Sequence, residues 1–226
     1  MSTPPSQQVI AILGSTGVQG ASVLHHLLTT LPATTTALRA ITHSAPSAAV
    51  SAIPPISTHP SLSIHQADVL SPPSLIEAFT GAQVVFGNTN SQDPRFAATG
   101  DQYATELQAI KNIVDACVEA GMELLILSAL NDMGYLSRRC WDFRAKSEGM
   151  EYARAVSARE RDEKGEKGLK VVFPQLGWYM NNFVWWHPGV PNAEDGVVEF
   201  EIPGADPNVK GRPCVIALCH SPPRYT

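Results

Sequence analysis

The chain contains 226 residues, of which 44% are hydrophobic and 16% charged, and its formal charge is −5. This length and composition are those of a globular protein with a substantial core, and the acidic balance argues against direct nucleic-acid binding, which normally needs a basic surplus. The four cysteines are too few for a disulfide scaffold, and their spacing fits neither a zinc nor a haem site, so no metal is predicted.

At the N-terminus, the segment MSTPPSQQ has neither the basic nor the apolar region of a signal peptide. No apolar run approaches the roughly 20 residues that a membrane-spanning helix needs. We therefore expect a cytoplasmic or nuclear protein without membrane contact.

Short apolar runs and helical patterns alternate along most of the chain. In chain order they predict a strand at Gln8–Leu13, a helix at Ala21–Leu31, a strand at Ala37–Thr42, a loop at Ser44–Pro60, a strand at Leu62–His65, a helix at Ser71–Phe79, a strand at Gln83–Gly87, a helix at Asp101–Ala120, a strand at Glu123–Leu127, a helix at Trp141–Arg159 and a strand at Leu169–Phe173. Such alternation is typical of an α/β fold with a doubly wound parallel sheet, the Rossmann architecture. We expect this domain to occupy residues 1–173, and a smaller second unit to follow from residue 174.

The first predicted strand is followed by the segment GSTGVQG, which places glycines at positions 14, 17 and 20. A tight turn, a close approach of the backbone to a pyrophosphate and close helix packing on the sheet each favour a residue without Cβ. The phosphates would lie at the helix N-terminus, where unpaired N–H groups and the helix dipole favour negative charge. Because the segment lies between a buried strand and a helix, dinucleotide binding is the favoured interpretation, and a plain tight turn is the alternative.

The end of the second strand indicates which dinucleotide is bound. No Asp or Glu precedes Asp68, so nothing there would repel a 2′-phosphate or hold a ribose 2′-hydroxyl. Arg39 and His43 are the nearby groups that could attract the phosphate. Arg39 lies inside the strand, however, and His43 is only partly cationic at neutral pH. We expect NADP(H), with NAD(H) as the alternative.

Six short segments follow the predicted strands or lie within the predicted helices. They are GSTGVQG, QADVLSPPSL, FGNTN, LSALND, FRAKSEGMEY and LGWYMNNF. In this order and spacing they resemble the NmrA-like family, which are atypical relatives of the short-chain dehydrogenases. The resemblance extends from about Gln8 to Pro207.

This resemblance implies contacts to each part of a bound dinucleotide. The phosphates would be lined by Gly14, Ser15, Thr16, Gly17, Val18, Gln19 and Gly20. His43 stands where many family members carry an arginine that reads the 2′-phosphate. Asp68 and Val69 would flank the adenine, Asn88 and Thr89 would lie along the nicotinamide half, and Tyr179 and Asn182 would help to wall the cleft.

Lys146 matches a lysine that acts as the general acid or base beside the nicotinamide in the reductase branch of the family. That role needs an ammonium whose pKa is lowered by burial, so that it can exchange a proton near neutral pH. Without the resemblance, Lys146 is one more cation on a helix with Asp142, Arg144 and Glu148, which is typical of a solvated helix face. A cofactor-side role and a surface role therefore both stay open.

The Tyr-x-x-x-Lys signature of most short-chain dehydrogenases is absent. Tyr135 is followed four positions later by Arg139, whose guanidinium cannot share a proton at neutral pH. Neither Tyr152 nor Tyr179 has a lysine at that spacing. The resemblance to the reductase branch thus implies Lys146 as the candidate catalytic residue.

The resemblance fades at Val209, and the last segment, GRPCVIALCHSPPRYT, matches nothing expected. Family members usually continue with a small substrate-binding lobe, so we interpret residues 174–226 as a truncated lobe with a divergent tail. The aromatic residues Trp178, Phe183, Trp185 and Trp186 would pack in this lobe or wall its pocket.

Two classes of function stay open. The first is an NADP-dependent oxidoreductase that passes a hydride between nicotinamide and a small carbonyl or unsaturated substrate, with Lys146 handling the proton. The second is a non-catalytic redox-sensing regulator that binds NADP(H) and a protein partner. The missing signature, His43 in place of arginine and the short lobe favour the sensor, whereas Lys146 favours the enzyme.

Overall fold

The computed structural model describes residues 7–43, 60–132, 134 and 140–176, together with two short strands, β7 (Gly189–Pro191) and β8 (Val198–Phe200). The chain divides into two compact units, Met1–Gln175 and Leu176–Thr226. In the second unit, β7 and β8 pair in antiparallel fashion. Several sequence predictions lie outside the described residues: nearly all of the loop Ser44–Pro60, Tyr135 and Arg139, Tyr179 and Asn182, the aromatic residues 178–186 and the C-terminal tail.

The first unit is built on a six-stranded parallel sheet. Its strands are β1 (Gln8–Leu13), β2 (Thr36–Thr42), β3 (Leu62–Gln66), β4 (Val84–Gly87), β5 (Leu124–Leu127) and β6 (Lys170–Val172). Their order across the sheet is β3-β2-β1-β4-β5-β6, and every neighbouring pair is parallel. This order confirms the predicted doubly wound Rossmann sheet, in which ligands bind beyond the carboxyl ends of the strands where the order reverses, here between β1 and β4.

Five helices of the described residues connect these strands. They are α1 (Val18–Thr30), α2 (Pro72–Phe79), α3 (Pro94–Ala98), α4 (Gln102–Glu119) and α5 (Trp141–Lys164). None of them is long and apolar enough to cross a bilayer.

The helix bounds differ from the predicted ones for local reasons. Helix α1 begins three residues early, because Gly17 adopts an extended conformation and serves as its N-cap. Helix α5 continues past the predicted end at Arg159. In this extension Lys164 forms an ion pair with Glu160, four residues earlier, and the helix ends at Gly165, whose φ is +63°. The short helix α3 was not predicted.

The core lies on both faces of the sheet because strand side chains alternate. Ala11 and Leu13 of β1 face the layer of α2, α4 and α5, whereas Ile12 faces α1 beside Leu24. All four side chains are buried. The sheet is therefore covered by helices on both sides, which leaves its carboxyl edge as the place for a ligand.

Helices α4 and α5 approach each other closely at Gly149. A Cβ added there would lie 2.6 Å from Cγ2 of Ile110, whose β-branched side chain has little freedom to move. We expect Gly149→Ala to lower the free energy of unfolding by about 1–3 kcal/mol, the usual range for overpacking. Urea denaturation measures this, and adding Ile110→Val, which removes part of the crowding, should recover some of the loss. No recovery in the double variant would contradict this explanation.

Candidate dinucleotide-binding and active site

The glycine turn lies at the carboxyl end of β1, next to the point where the strand order reverses. Gly14 has φ +70°, a conformation that favours glycine, and its carbonyl accepts a hydrogen bond of 2.9 Å from the N–H of Gly17. Helix α1 starts at the next residue, so the tight strand–turn–helix geometry of a dinucleotide site is present.

The other two glycines allow the helix to pack on this turn. A Cβ on Gly17 would lie 3.3 Å from the Gly14 carbonyl oxygen. A Cβ on Gly20 would overlap that oxygen and lie 2.6 Å from the Gly14 carbonyl carbon. The start of α1 has no side-chain cap and no acidic residue in its first turn, so its N–H groups suit an anion. This glycine cradle, in which α1 starts close against the turn and leaves its N–H groups without a side-chain cap, fits a dinucleotide pyrophosphate.

The remaining residues of the turn divide into buried and exposed ones. Ser15 is fully buried, and both its N–H and its hydroxyl donate to the carbonyl of Ile41 at 3.1 Å. Its side chain therefore ties the turn to β2 and does not face a ligand. Thr16 and Val18 are exposed, and Gln19 is half-buried.

Arg39 points away from the predicted phosphate site. Its Nη1 donates to the carbonyls of Ala78 at 2.5 Å and Thr80 at 2.9 Å, at the C-terminal end of α2. Partial burial lowers the pKa of Arg39, but a guanidinium keeps its charge at neutral pH. The Arg39 guanidinium therefore serves the carbonyls at the end of a helix, and its contact with a 2′-phosphate stays a prediction from the sequence.

His43 and Asp68 lie beside each other at the carboxyl ends of β2 and β3. The N–H of Ala67 donates to the Thr42 carbonyl at 3.0 Å, and Gln66 Nε2 donates to the His43 carbonyl at 3.0 Å. His43 is exposed. The Oδ1 of Asp68 accepts from the N–H of Leu70 at 2.9 Å, which shapes the loop through Val69.

Arg95 of α3 joins this group, although sequence reasoning missed it. Its Nη1 lies 2.5 Å from Asp68 Oδ2, and its Nη2 lies 2.6 Å from Asp93 Oδ2. The hydrogen bonds from Arg95 hold the pKa of Asp93 below its ordinary value, and His43 adds to that lowering through its charge. The pKa of Arg95 is raised in turn, chiefly by the hydrogen bond to Asp93.

Lys146 is buried at the opposite end of the same edge. Its Nζ donates to Glu106 Oε1 at 2.7 Å, to Thr89 Oγ1 at 2.8 Å and to the Thr89 carbonyl at 3.2 Å. Lys146 is 8% exposed and Glu106 is 0% exposed. The interpretation of Lys146 as part of a solvated helix face is therefore wrong, since the side chain reaches the loop that follows β4.

One oxygen of Glu106 connects α4 with α5 and with the loop after β4. Its Oε1 also accepts from the hydroxyls of Thr89 at 2.6 Å and Ser91 at 2.9 Å. Two nearby oxygens, Glu106 Oε2 and Asn88 Oδ1, are buried and accept no hydrogen bond within the described part of the chain. Buried acceptors of this kind are rare and mark places where a water or a ligand donor is used.

Both missed residues carried a signal in the sequence. Glu106 lies four residues before Ile110 and seven before Ile113, so it falls on the buried face of its helix, where an unpaired carboxylate is not expected. Arg95 follows Asp93-Pro94, a helix-start pattern in the segment between β4 and α4. The partners of both residues, Lys146 and Asp68, could only be found in three dimensions.

Comparison with known proteins gives a consistent family. A profile of the NmrA-like family matches residues 6–212. The NmrA-like family domain-containing oxidoreductase cpsB of Aspergillus campestris is 32% identical over 184 residues, which cover 79% of this chain and 48% of that protein. The oxidoreductase lnaB of Aspergillus flavus is 31% identical, with 80% of this chain and 49% of that protein covered. The chain thus spans about half the length of the curated relatives that it matches.

Solved structures share the fold at low sequence identity. The NADPH-dependent quinone oxidoreductase QOR2 of Escherichia coli, complexed with NADPH, superposes with a TM-score of 0.56 at 21% identity, covering 79% of this chain and 52% of that one. The triphenylmethane reductase of Citrobacter, complexed with NADP(H), gives a TM-score of 0.54 at 17% identity, with the same coverage of 79% and 52%.

Proposed function

Because the chain belongs to the NmrA-like family, we propose that it is an NADP(H)-dependent oxidoreductase acting on a small carbonyl or unsaturated substrate. The observation that carries this proposal is the position of two groups at one edge of the sheet. The glycine cradle follows β1, and the Lys146 ammonium lies against Thr89, beyond the end of the neighbouring β4. The dinucleotide would span the reversal point between these strands.

The cofactor would be held mainly by the main chain. The N–H groups at the start of α1 would bind the diphosphate, Asp68 and Val69 would border the adenine, and the loop of Asn88 and Thr89 would border the nicotinamide. The relatives are named oxidoreductases, and two proteins of the same fold are described as complexes with NADPH or NADP(H), which supports a nicotinamide dinucleotide as the cofactor. Once bound, the cofactor supplies a hydride to the carbon of the substrate.

Lys146 would then supply the proton that the substrate needs after hydride transfer. An ammonium has three N–H donors, and all three are used by Glu106 and Thr89. Donation to a substrate oxygen therefore requires one bond to be exchanged. The bond to the Thr89 carbonyl, at 3.2 Å the longest, is the one that costs least to replace.

The same observation favours a second candidate, a regulator that binds NADP(H) without turnover and reports it to a protein partner. In this second candidate the Lys146 ammonium keeps all three hydrogen bonds and ties α5 to the loop after β4. A change in that loop when the dinucleotide binds would then pass to α5 through the ion pair. Turnover is the property that separates the two candidates.

We expect Lys146→Arg to retain NADPH binding but to lose turnover by about 10²–10⁴-fold, the usual contribution of a general acid. Arginine keeps the charge opposite Glu106 but does not release a proton at neutral pH. Calorimetry with NADPH checks binding, and the decay of NADPH absorbance with a panel of carbonyl and unsaturated compounds checks turnover. Arg154→Ala, an exposed residue of the same helix, is the control. Wild-type protein that binds NADPH but turns over no compound of the panel supports the regulator, and an active Lys146→Arg variant contradicts acid catalysis.

A further inference from the structure

One charged cluster at the carboxyl edge is not used by the proposed reaction. It consists of Arg95, Asp68 and Asp93, and it lies where β2 and β3 end. With one cation and two carboxylates its formal charge is −1. A charged cluster beside a predicted nucleotide site needs an explanation, because it changes which nucleotide can bind there.

The position of Arg95 follows from a chain of contacts. Thr42 and Gln66 are paired in the sheet, and the next residues, His43 and Ala67, stay side by side through the hydrogen bond from the Ala67 N–H to the Thr42 carbonyl. Asp68 follows directly, and the Arg95 guanidinium is bound to it. Arg95 therefore lies within reach of the end of β2, which is where a Rossmann sheet holds the adenosine ribose and its 2′ position.

The Arg95 guanidinium has N–H donors that neither carboxylate uses. Asp93 takes Nε–H at 3.0 Å and one Nη2–H at 2.6 Å, and Asp68 takes one Nη1–H at 2.5 Å. A guanidinium carries five N–H groups, so two of them have no acceptor among the described residues. The side chain is 36% exposed, so these donors can be reached from solvent.

Asp93 fixes the orientation of this guanidinium. Its side chain is only 13% exposed, and it caps α3 by accepting a hydrogen bond of 2.9 Å from the Arg95 backbone N–H. The same carboxylate also accepts from Nε of the Arg95 side chain. The opposite edge of the guanidinium, formed by Nη1 and Nη2, is then presented in one direction. Two neighbouring N–H groups on one planar edge are the geometry that binds two oxygens of a phosphate.

We infer that Arg95 binds the 2′-phosphate of NADP(H), the role for which Arg39 and His43 were considered from the sequence. This inference rests on the proposed function. Asp93 acts as a positioning residue, and Asp68 competes with the phosphate for Nη1. Selectivity for NADP(H) over NAD(H) therefore depends on how strongly the 2′-phosphate competes with the Asp68 carboxylate for the Arg95 guanidinium.

The test compares ligands that differ only in the 2′-phosphate. The affinities of NADPH, NADH, 2′,5′-ADP and 5′-ADP for the full chain are measured by calorimetry. We expect Arg95→Ala to weaken NADPH and 2′,5′-ADP by about tenfold or more, the value of a charge-assisted hydrogen bond, and to leave NADH and 5′-ADP unchanged. Arg95→Lys should lose less, since it keeps the charge without the bidentate edge.

A second variant moves the selectivity in the opposite direction. Asp68→Asn removes the competing charge but keeps the oxygen that accepts from Leu70, so it should tighten NADPH binding relative to NADH. Arg154→Ala removes an exposed arginine elsewhere and serves as the charge control.

Three results would overturn the inference: a wild-type chain without preference for the 2′-phosphate, an Arg95→Ala variant that weakens all four ligands equally, or one that weakens none. A wild-type chain that binds none of the four would overturn the proposed function itself, which distinguishes the two failures.

Discussion

Gly20→Ala is expected to weaken dinucleotide binding by up to about a hundredfold, because the new methyl group has no room between α1 and the glycine turn. It would overlap the carbonyl oxygen of Gly14 and lie 2.6 Å from the carbonyl carbon, and these are main-chain atoms that cannot turn aside. Overpacking costs about 1–3 kcal/mol. If the upper end of that cost falls on the binding turn, the Kd for NADPH rises by about a hundredfold. Calorimetric titration with NADPH measures the loss.

Gly121→Ala is the matched control for this prediction. Gly121 has φ +71° at the end of α4 and no atom within 4 Å of an added Cβ. Alanine there should cost about 1–3 kcal/mol of backbone strain without any change in NADPH affinity. If both variants lost stability and both still bound NADPH, the glycine turn would not be the phosphate site.

Glu106→Ala is expected to lower the free energy of unfolding by about 3–5 kcal/mol, the cost of leaving a buried charge without its partner. The substitution removes the only carboxylate that Lys146 contacts in the described residues, and it also leaves the hydroxyls of Thr89 and Ser91 without their acceptor. Urea denaturation of the apo-protein measures the effect.

The double variant Glu106→Leu/Lys146→Met tests whether the cause is the unpaired charge. Removing both charges should restore much of the stability that Glu106→Ala loses, because replacing a buried pair by apolar side chains is often neutral. Glu151→Ala breaks the exposed pair with Arg154 and should cost only about 0–1 kcal/mol. A double variant as unstable as Glu106→Ala would show that packing, and not the ion pair, matters at this position.

The sheet could be predicted from the sequence because its signals are local. Apolar runs such as Gln8–Leu13, a glycine turn and an amphipathic helix each depend on residues that are close in the chain. The bounds of the helices could not be predicted in the same way. The start of α1 depends on the conformation of Gly17, and the end of α5 depends on Gly165. Both are settled by backbone angles that composition does not determine.

The glycine turn could be predicted because it is made of main chain, whereas Lys146 was identified only through the resemblance to the NmrA-like family. The glycines 14, 17 and 20 pointed to the cradle because their lack of Cβ is itself the signal. The partners of Arg39 could not be predicted, because nothing in the strand pattern shows that its guanidinium reaches the end of α2. The pairing of Lys146 with Glu106 joins residues 40 positions apart and depends on how α4 packs against α5.

If the glycine turn and the Lys146 loop form one dinucleotide site at the carboxyl edge, NADPH must perturb both of them. The most direct measurement is a titration of the full chain with NADPH, followed by the backbone amide resonances. We expect saturable shifts concentrated at residues 14–20, at His43 and around Thr89, with little change at the far end of α5. No saturable shift, or shifts that leave the glycine turn untouched, would contradict it.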